Sequence, residues 1–196
     1  YLFEADWPLD CYNAGEINLQ FVSPRGTHLC IDTPDEGAIT RHQLAYARSF
    51  LTEVEDALAA GSASSRINPI SWADYYLLNE LFKNNDAAFN SSVKMWKDTD
   101  SAVDPADRLL NLGPIWDFDI GAGNFQDHEA WLATGCWVSR GNRDINWLAR
   151  AFGDPAFVRL TLARWKTKRP ALERFVHASL DTYTRRLRAA QQRNFE

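Results

Sequence analysis

Apolar residues between positions 44 and 58 recur at alternating steps of three and four: Leu44, Ala47, Leu51, Val54, Leu58. That spacing predicts a helix with one buried stripe. Thr40 and Gln43 read as a capping box at its start, and Gly61 as the left-handed residue beyond its end. A second helix is predicted from Ser71, supported by Asp74, through Tyr75, Leu78 and Phe82. It stops at Asn84-Asn85-Asp86, residue types that favour turns. Alternation then takes over. Ser92 to Lys97 predicts a strand with Val93 and Met95 on one face, and residues 98–107 a polar loop. Leu109–Leu112 and Ile115–Ile120 predict two more short strands, divided by Gly113-Pro114.

The flanking regions are simpler. Up to about residue 38 the chain reads as strand and turn, with Leu29-Cys30-Ile31 followed by the turn cluster from Asp32 to Gly37. Beyond the Gly121-Ala122-Gly123-Asn124 loop it turns helical. Asp154 is placed as an N-cap before Pro155, and Pro170 as the opening of a last helix carrying Leu172, Phe175, Val176, Tyr183 and Leu187. The pattern is α+β, in three stretches: a strand-and-turn entry over 1–38, a core over 39–130 and a helical part over 131–196.

Composition narrows the function classes. Of 196 residues, 45% are hydrophobic and 13% aromatic, enough to bury a core. The formal net charge of −5 argues against a duplex nucleic-acid partner, which calls for a basic face. Arg185, Arg186 and Arg188 read as the solvated face of a helix. No apolar run approaches the roughly 20 residues of a membrane span. Cys11, Cys30 and Cys136 lack zinc-site spacing; a disulfide such as Cys11 with Cys30 and free buried thiols are both compatible with them. His28, His42, His128 and His177 are scattered without ligand spacing.

The chemistry-bearing residues are acidic. Asp86 follows a helix, where its side chain can project into a cleft. Asp117 and Asp119 are one residue apart, so on a strand both point to the same side. Two carboxylates on one face repel unless a cation is shared, and a hard divalent ion suits them. Asn90, four residues after Asp86, adds a neutral oxygen by its spacing. Taken singly, an Asp-x-Asp pair also reads as a solvated face, and Asn-Asn-Asp as a plain helix-ending turn. Trp116 and Phe118 alternate with the acids and imply a strand buried on one side and acidic on the other, an arrangement that is costly without a purpose.

Three stretches resemble the CotH (spore coat protein H) kinase family: Asp74 through Asp86, Ser91-Ser92-Val93-Lys94-Met95-Trp96-Lys97-Asp98, and Gly113-Pro114-Ile115-Trp116-Asp117-Phe118-Asp119-Ile120-Gly121-Ala122-Gly123-Asn124. The downstream pattern from Asp154-Pro155-Ala156-Phe157 to Arg164-Trp165 fits as well. The resemblance spans essentially the whole chain. It implies an atypical protein-kinase fold, here its mainly helical larger lobe with short strands around the metal site. It also implies transfer of phosphate from ATP to protein serines with Mg²⁺. By it Asp86 corresponds to the catalytic-loop aspartate and Asp117 to the metal-binding aspartate, with Asp119 a neighbouring ligand. A spore-coat, cell-surface or secreted location goes with the family.

Phosphoryl transfer also requires a lid over the phosphates and a paired cation. No glycine-rich loop between strands is legible, and Lys83, Lys94 and Lys97 each read as surface residues. Tyr1-Leu2-Phe3-Glu4-Ala5-Asp6 resembles the point where the family's chain leaves the smaller lobe, so the expectation is a larger-lobe portion without that lobe. The alternative is a catalytically silent family member acting as a structural or adhesive binding protein. A two-carboxylate hydrolase is a poor third reading, because neighbouring same-face acids do not bracket a scissile bond.

Overall fold

A computed structural model describes residues 1–7, 18–124, 132, 134–140 and 145–195. They form an α+β fold on a small antiparallel sheet. Strands β1 (Leu2–Ala5), β2 (Gln20–Val22), β3 (His28–Thr33), β4 (Val93–Trp96) and β5 (Asn111–Leu112) lie in the order β2-β3-β1-β4-β5. Every pairing is antiparallel. The alternation is real on the inner strands: Phe3, Ala5, Val93 and Met95 are buried in the core. Glu4 sits opposite Lys94 in the β1–β4 register, on the other face.

Helix α1 (Arg41–Ala59) has the capping box read from Thr40 and Gln43, and Gly61 follows it at φ +69°. Its stripe packs as expected, with Ala47, Leu51, Val54 and Leu58 buried and Leu44 against the cluster's edge. Helix α2 (Pro69–Phe82) starts two residues earlier than the pattern suggested. Asn68 is the N-cap, accepting from the Ile70 amide, and Pro69 occupies the first turn, where its missing N–H costs nothing. Ser71 instead donates to the Asn68 carbonyl at 3.1 Å. The start of α2 is also tied to the sheet. The Leu110 carbonyl accepts from the Asn68 amide and the Trp72 indole, each at 2.9 Å.

Helices α3 (Trp147–Ala151) and α4 (Pro155–Phe195) complete the fold, and Asp154 caps α4 by accepting from Ala156. Pro170 does not open a helix. It lies inside α4, in the exposed stretch 166–170, where water can hydrate the carbonyl that its missing N–H leaves unbonded. Residues 1–161 form one compact unit and residues 162–196, all within α4 but the last, a second. Arg185, Arg186 and Arg188 are exposed on α4, as are His28, His42 and His177 on their elements. His128 falls outside the described residues. Cys30 is disulfide-bonded and Cys136 is free and exposed, while Cys11 falls outside the described residues.

Three expectations fail for tertiary reasons. Residues 115–120 are not a strand: the chain leaves the two-residue β5 through a cis Gly113–Pro114 bond, and Asp117 takes φ +58°. Lys97 is not on the surface but 1% exposed, its ammonium 5.6 and 5.0 Å from the rings of Tyr46 and Phe50 and 2.6 Å from Asp100. Lys94 is also largely covered, between Glu4 and Asp32.

One buried carboxylate joins three elements. Glu55 of α1 is fully buried and accepts from Ser23 Oγ at 2.7 Å, Thr27 Oγ1 at 3.4 Å, the Trp147 indole at 3.3 Å and the Arg25 amide at 3.2 Å. Removing the acceptor strands several buried donors. Glu55→Ala is therefore expected to cost about 3 kcal/mol or more in urea unfolding, against about 1 kcal/mol for Glu55→Gln, which keeps a carbonyl. Equal losses in the two variants would assign the cost to the charge rather than to these bonds.

Candidate active site

The site is built on the end of α2. Lys83 closes that helix in the left-handed conformation at φ +48°, which turns the chain sharply into Asn84-Asn85-Asp86. Asn84 is only 3% exposed. Its Nδ2 donates to Asn79 Oδ1, one turn back on α2, at 3.0 Å and to the Asp117 carbonyl at 3.1 Å. A single amide thus joins the loop that carries Asp86 to the loop that carries Asp117 and Asp119. A second tie runs from the Ala122 amide to the Phe82 carbonyl at 2.5 Å. Gly121 sits in that junction, where a Cβ would meet the Phe118 and Phe82 carbonyls at 3.2 and 3.3 Å, so a side chain there would require the two loops to shift by a few tenths of an ångström.

Asp86 opens a 3₁₀ turn, Asp86–Ala88, and its carbonyl accepts from the amides of Phe89 and Asn90. Phe89 is left-handed at φ +64°, unusual for so bulky a residue, and buried between Trp72 and Trp147 at centroid distances of 6.2 and 5.7 Å. Its burial fixes the loop from below. Among the described residues, the non-glycine residues with positive φ are Lys83, Phe89, Ser92, Asp117 and Ala122. All lie in these two loops. Each costs on the order of 1 kcal/mol, and such strain concentrates where side chains must be aimed.

The electrostatics agree. The Asp86 carboxyl is pushed up to about 6, by burial first, then by the charges of Asp117, Asp119 and Asp6. Tyr75 on α2 is also raised, chiefly by burial, with the charge of Asp86 adding to it. Asp86, Asp117 and Asp119 are therefore brought near enough to feel one another, through a turn and a left-handed loop rather than along one strand face. Asn90 stays within its own loop, its Nδ2 donating to the Asn85 carbonyl at 3.4 Å.

The family model described as CotH kinase protein matches residues 18–196. The chain belongs to the CotH kinase family. Comparison with curated proteins and with solved structures returned no match. The family match covers both loops of this CotH-family chain, and Asp6 lies outside the matched range. No helix among the described residues is long and apolar enough to cross a membrane.

The donor chemistry at the site suits a hard divalent cation. Its acidic cluster consists of carboxylates, and the buried Oδ1 atoms of Asn84 and Asn85 have no hydrogen-bond partner among the described residues. Among the described residues, no group of three or more His, Cys, Asp or Glu is placed to hold a metal ion.

Four residues contribute in ways the sequence did not indicate. Asp6, at the end of β1, accepts from Ser91 Oγ at 2.6 Å and adds its charge at Asp86. Asn84 is the bridge just described. Glu80 accepts from the Trp137 and Val138 amides at 2.6 and 2.9 Å, and Lys83 donates to the Thr134 carbonyl at 2.8 Å and to that of Gly135. Alternation on β1 places Glu4 on the face opposite Phe3 and Ala5, but only the pairing with β4 brings Asp6 to this end of the sheet.

The raised carboxyl has a consequence for stability. Between the ordinary value of 3.8 and about 6 the folded chain holds the Asp86 proton more tightly than the unfolded chain does. Stability at this site therefore falls as pH rises through that window and stays lower above it. Asp86→Asn should melt at a higher temperature than the unsubstituted chain at about pH 7.5, with the gap closing below about pH 4. Coincident melting curves at the higher pH would show that the charge carries no such penalty.

Proposed function

We propose that this chain is the larger-lobe portion of an ATP- and Mg²⁺-dependent protein-serine kinase of the CotH type. The observation that supports it most is the convergence of the two family loops on one acidic cluster, joined by Asn84. In this reading Asp86 orients the accepting serine hydroxyl. A carboxyl raised to about 6 is a more effective proton acceptor at neutral pH than an ordinary aspartate, while remaining mostly ionised. Asp117 holds Mg²⁺, Asp119 stands beside it, and Asn90 is the weaker candidate ligand. The metal, when bound, offsets charge on the phosphate oxygens of ATP.

In this reading the phosphate lid and its cation are not assigned to any of the described residues. The substrate in this reading is a protein of a spore coat or other surface, as the family resemblance implies. A silent binding protein on the same scaffold is the second reading. The observation in its favour is that no group of three metal-binding side chains is assembled among the described residues. Calorimetric titration of the full-length protein with Mg-ATP separates the two, since the silent form takes up no nucleotide.

In the full-length protein, Asp86→Asn should lower phosphate transfer by about 10²–10⁴-fold while the protein stays folded. Residues 1–196 alone should show no appreciable ATP turnover. Unchanged transfer in the variant would remove Asp86 from its role. A robust Mg²⁺-dependent turnover by residues 1–196 that Asp117→Ala abolishes would show that no further lobe is needed.

A further inference from the structure

The left-handed backbone at Asp117 is uncommon for a non-glycine residue, even an aspartate, and contacts on two sides hold it. Asn84 holds one side, through the bond from its Nδ2 to the Asp117 carbonyl. The other side is reached through Trp116. Burial does not fix that side chain, since it remains 47% exposed. Two directed contacts do. The indole N–H donates to the Ser92 carbonyl at 2.9 Å, and the Lys94 ammonium lies 5.2 Å from the ring centroid.

That ammonium is itself held in place. It donates to Glu4 of β1 and, at 2.8 Å, to Asp32 of β3, and its side chain is 17% exposed. A cation tethered from two strands and shielded from water attracts an aromatic face more strongly than a mobile surface lysine does. Ser92 and Lys94 both belong to the segment that enters and forms β4. The sheet therefore reaches the Asp117 loop through one indole, gripped at its N–H and on its ring.

We infer that Lys94 and Trp116 are positioning residues, a cation–π clamp by which the sheet holds Asp117 in the conformation that faces Asp86. The inference rests on the metal-holding role proposed for Asp117. It assigns a purpose to an ion cluster, Glu4–Lys94–Asp32, that lies on the outer face of the sheet, away from the core. Neither Lys94 nor Trp116 is placed among the reacting groups.

Two measurements on the 196-residue chain test the clamp. The first is amide hydrogen exchange at Gly121 and Ala122, whose amides bond the Phe118 and Phe82 carbonyls. The second is Mn²⁺ affinity, read from the electron paramagnetic resonance signal of the free ion. Trp116→Leu and Lys94→Met should each speed exchange at both amides by about fivefold, leave α1 amides unchanged, and weaken Mn²⁺ binding by about fivefold, the scale of a partly exposed cation–π contact. Lys94→Arg should keep both properties within about twofold, because the cation is retained. Should Lys94→Met fail to fold, Trp116→Leu decides alone, its side chain being half exposed. Unchanged exchange overturns the clamp. Faster exchange with unchanged Mn²⁺ affinity overturns the positioning role. If the unsubstituted chain binds no Mn²⁺ while exchange responds as expected, the metal role of Asp117 fails and the clamp stands.

Discussion

The hydrogen bonds of the Asn84 amide are the junction on which the candidate site depends. Its Nδ2 spans from Asn79 on α2 to the Asp117 carbonyl, so one buried side chain connects two loops far apart in sequence. Buried amides are exacting connectors. Each unmade bond carries the full cost of desolvation, so the two loops cannot drift apart cheaply. The remaining Oδ1 has no protein partner, and it is a neutral oxygen beside a cluster of carboxylates.

What reaches this junction is determined by packing on both sides. Helix α2, 14 residues and about 21 Å long, is anchored at its start to Leu110 beside β5 and presents Asn79 and Asn84 at its far end. Beneath the Asp86 turn, Phe89 is inserted between Trp72 and Trp147. Trp147 in turn donates to Thr27 and to Glu55. The loop of Asp86 is thereby linked through aromatic packing to the buried carboxylate that joins α1, α3 and the turn between β2 and β3. Apolar burial supplies the stiffness, and the polar contacts supply the direction.

The site works against its own electrostatics. Asp86, Asp117, Asp119 and Asp6 repel one another, and the raised Asp86 carboxyl is the local sign of it. A fold serving only as a scaffold gains nothing by gathering them, and the cost must be offset by the core and by the capped helices. A divalent cation would relieve the repulsion. The same logic applies in reverse on the outer face of the sheet, where Lys94 stands between the carboxylates of Glu4 and Asp32.

The sequence by itself determined what short-range chemistry can encode. The Thr40–Gln43 capping box, the stripe of α1, the Val93–Met95 alternation and the Asp154–Pro155 start of α4 all follow from contacts within a few residues. The two motifs that carry Asp86 and Asp117 were also legible, through spacing and resemblance. Their geometry was not. Read as a strand, residues 115–120 put Asp117 and Asp119 on one face; in the fold a cis bond and a left-handed residue aim the loop, held by Asn84 and Ala122 contacts to α2. Asp6 joins the cluster only because β1 pairs with β4, and Lys97 is buried only because Tyr46 and Phe50 of α1 cover it. Those decisions belong to tertiary structure because long-range pairing, and not local preference, sets which side chains lose their water and which charges must share a space.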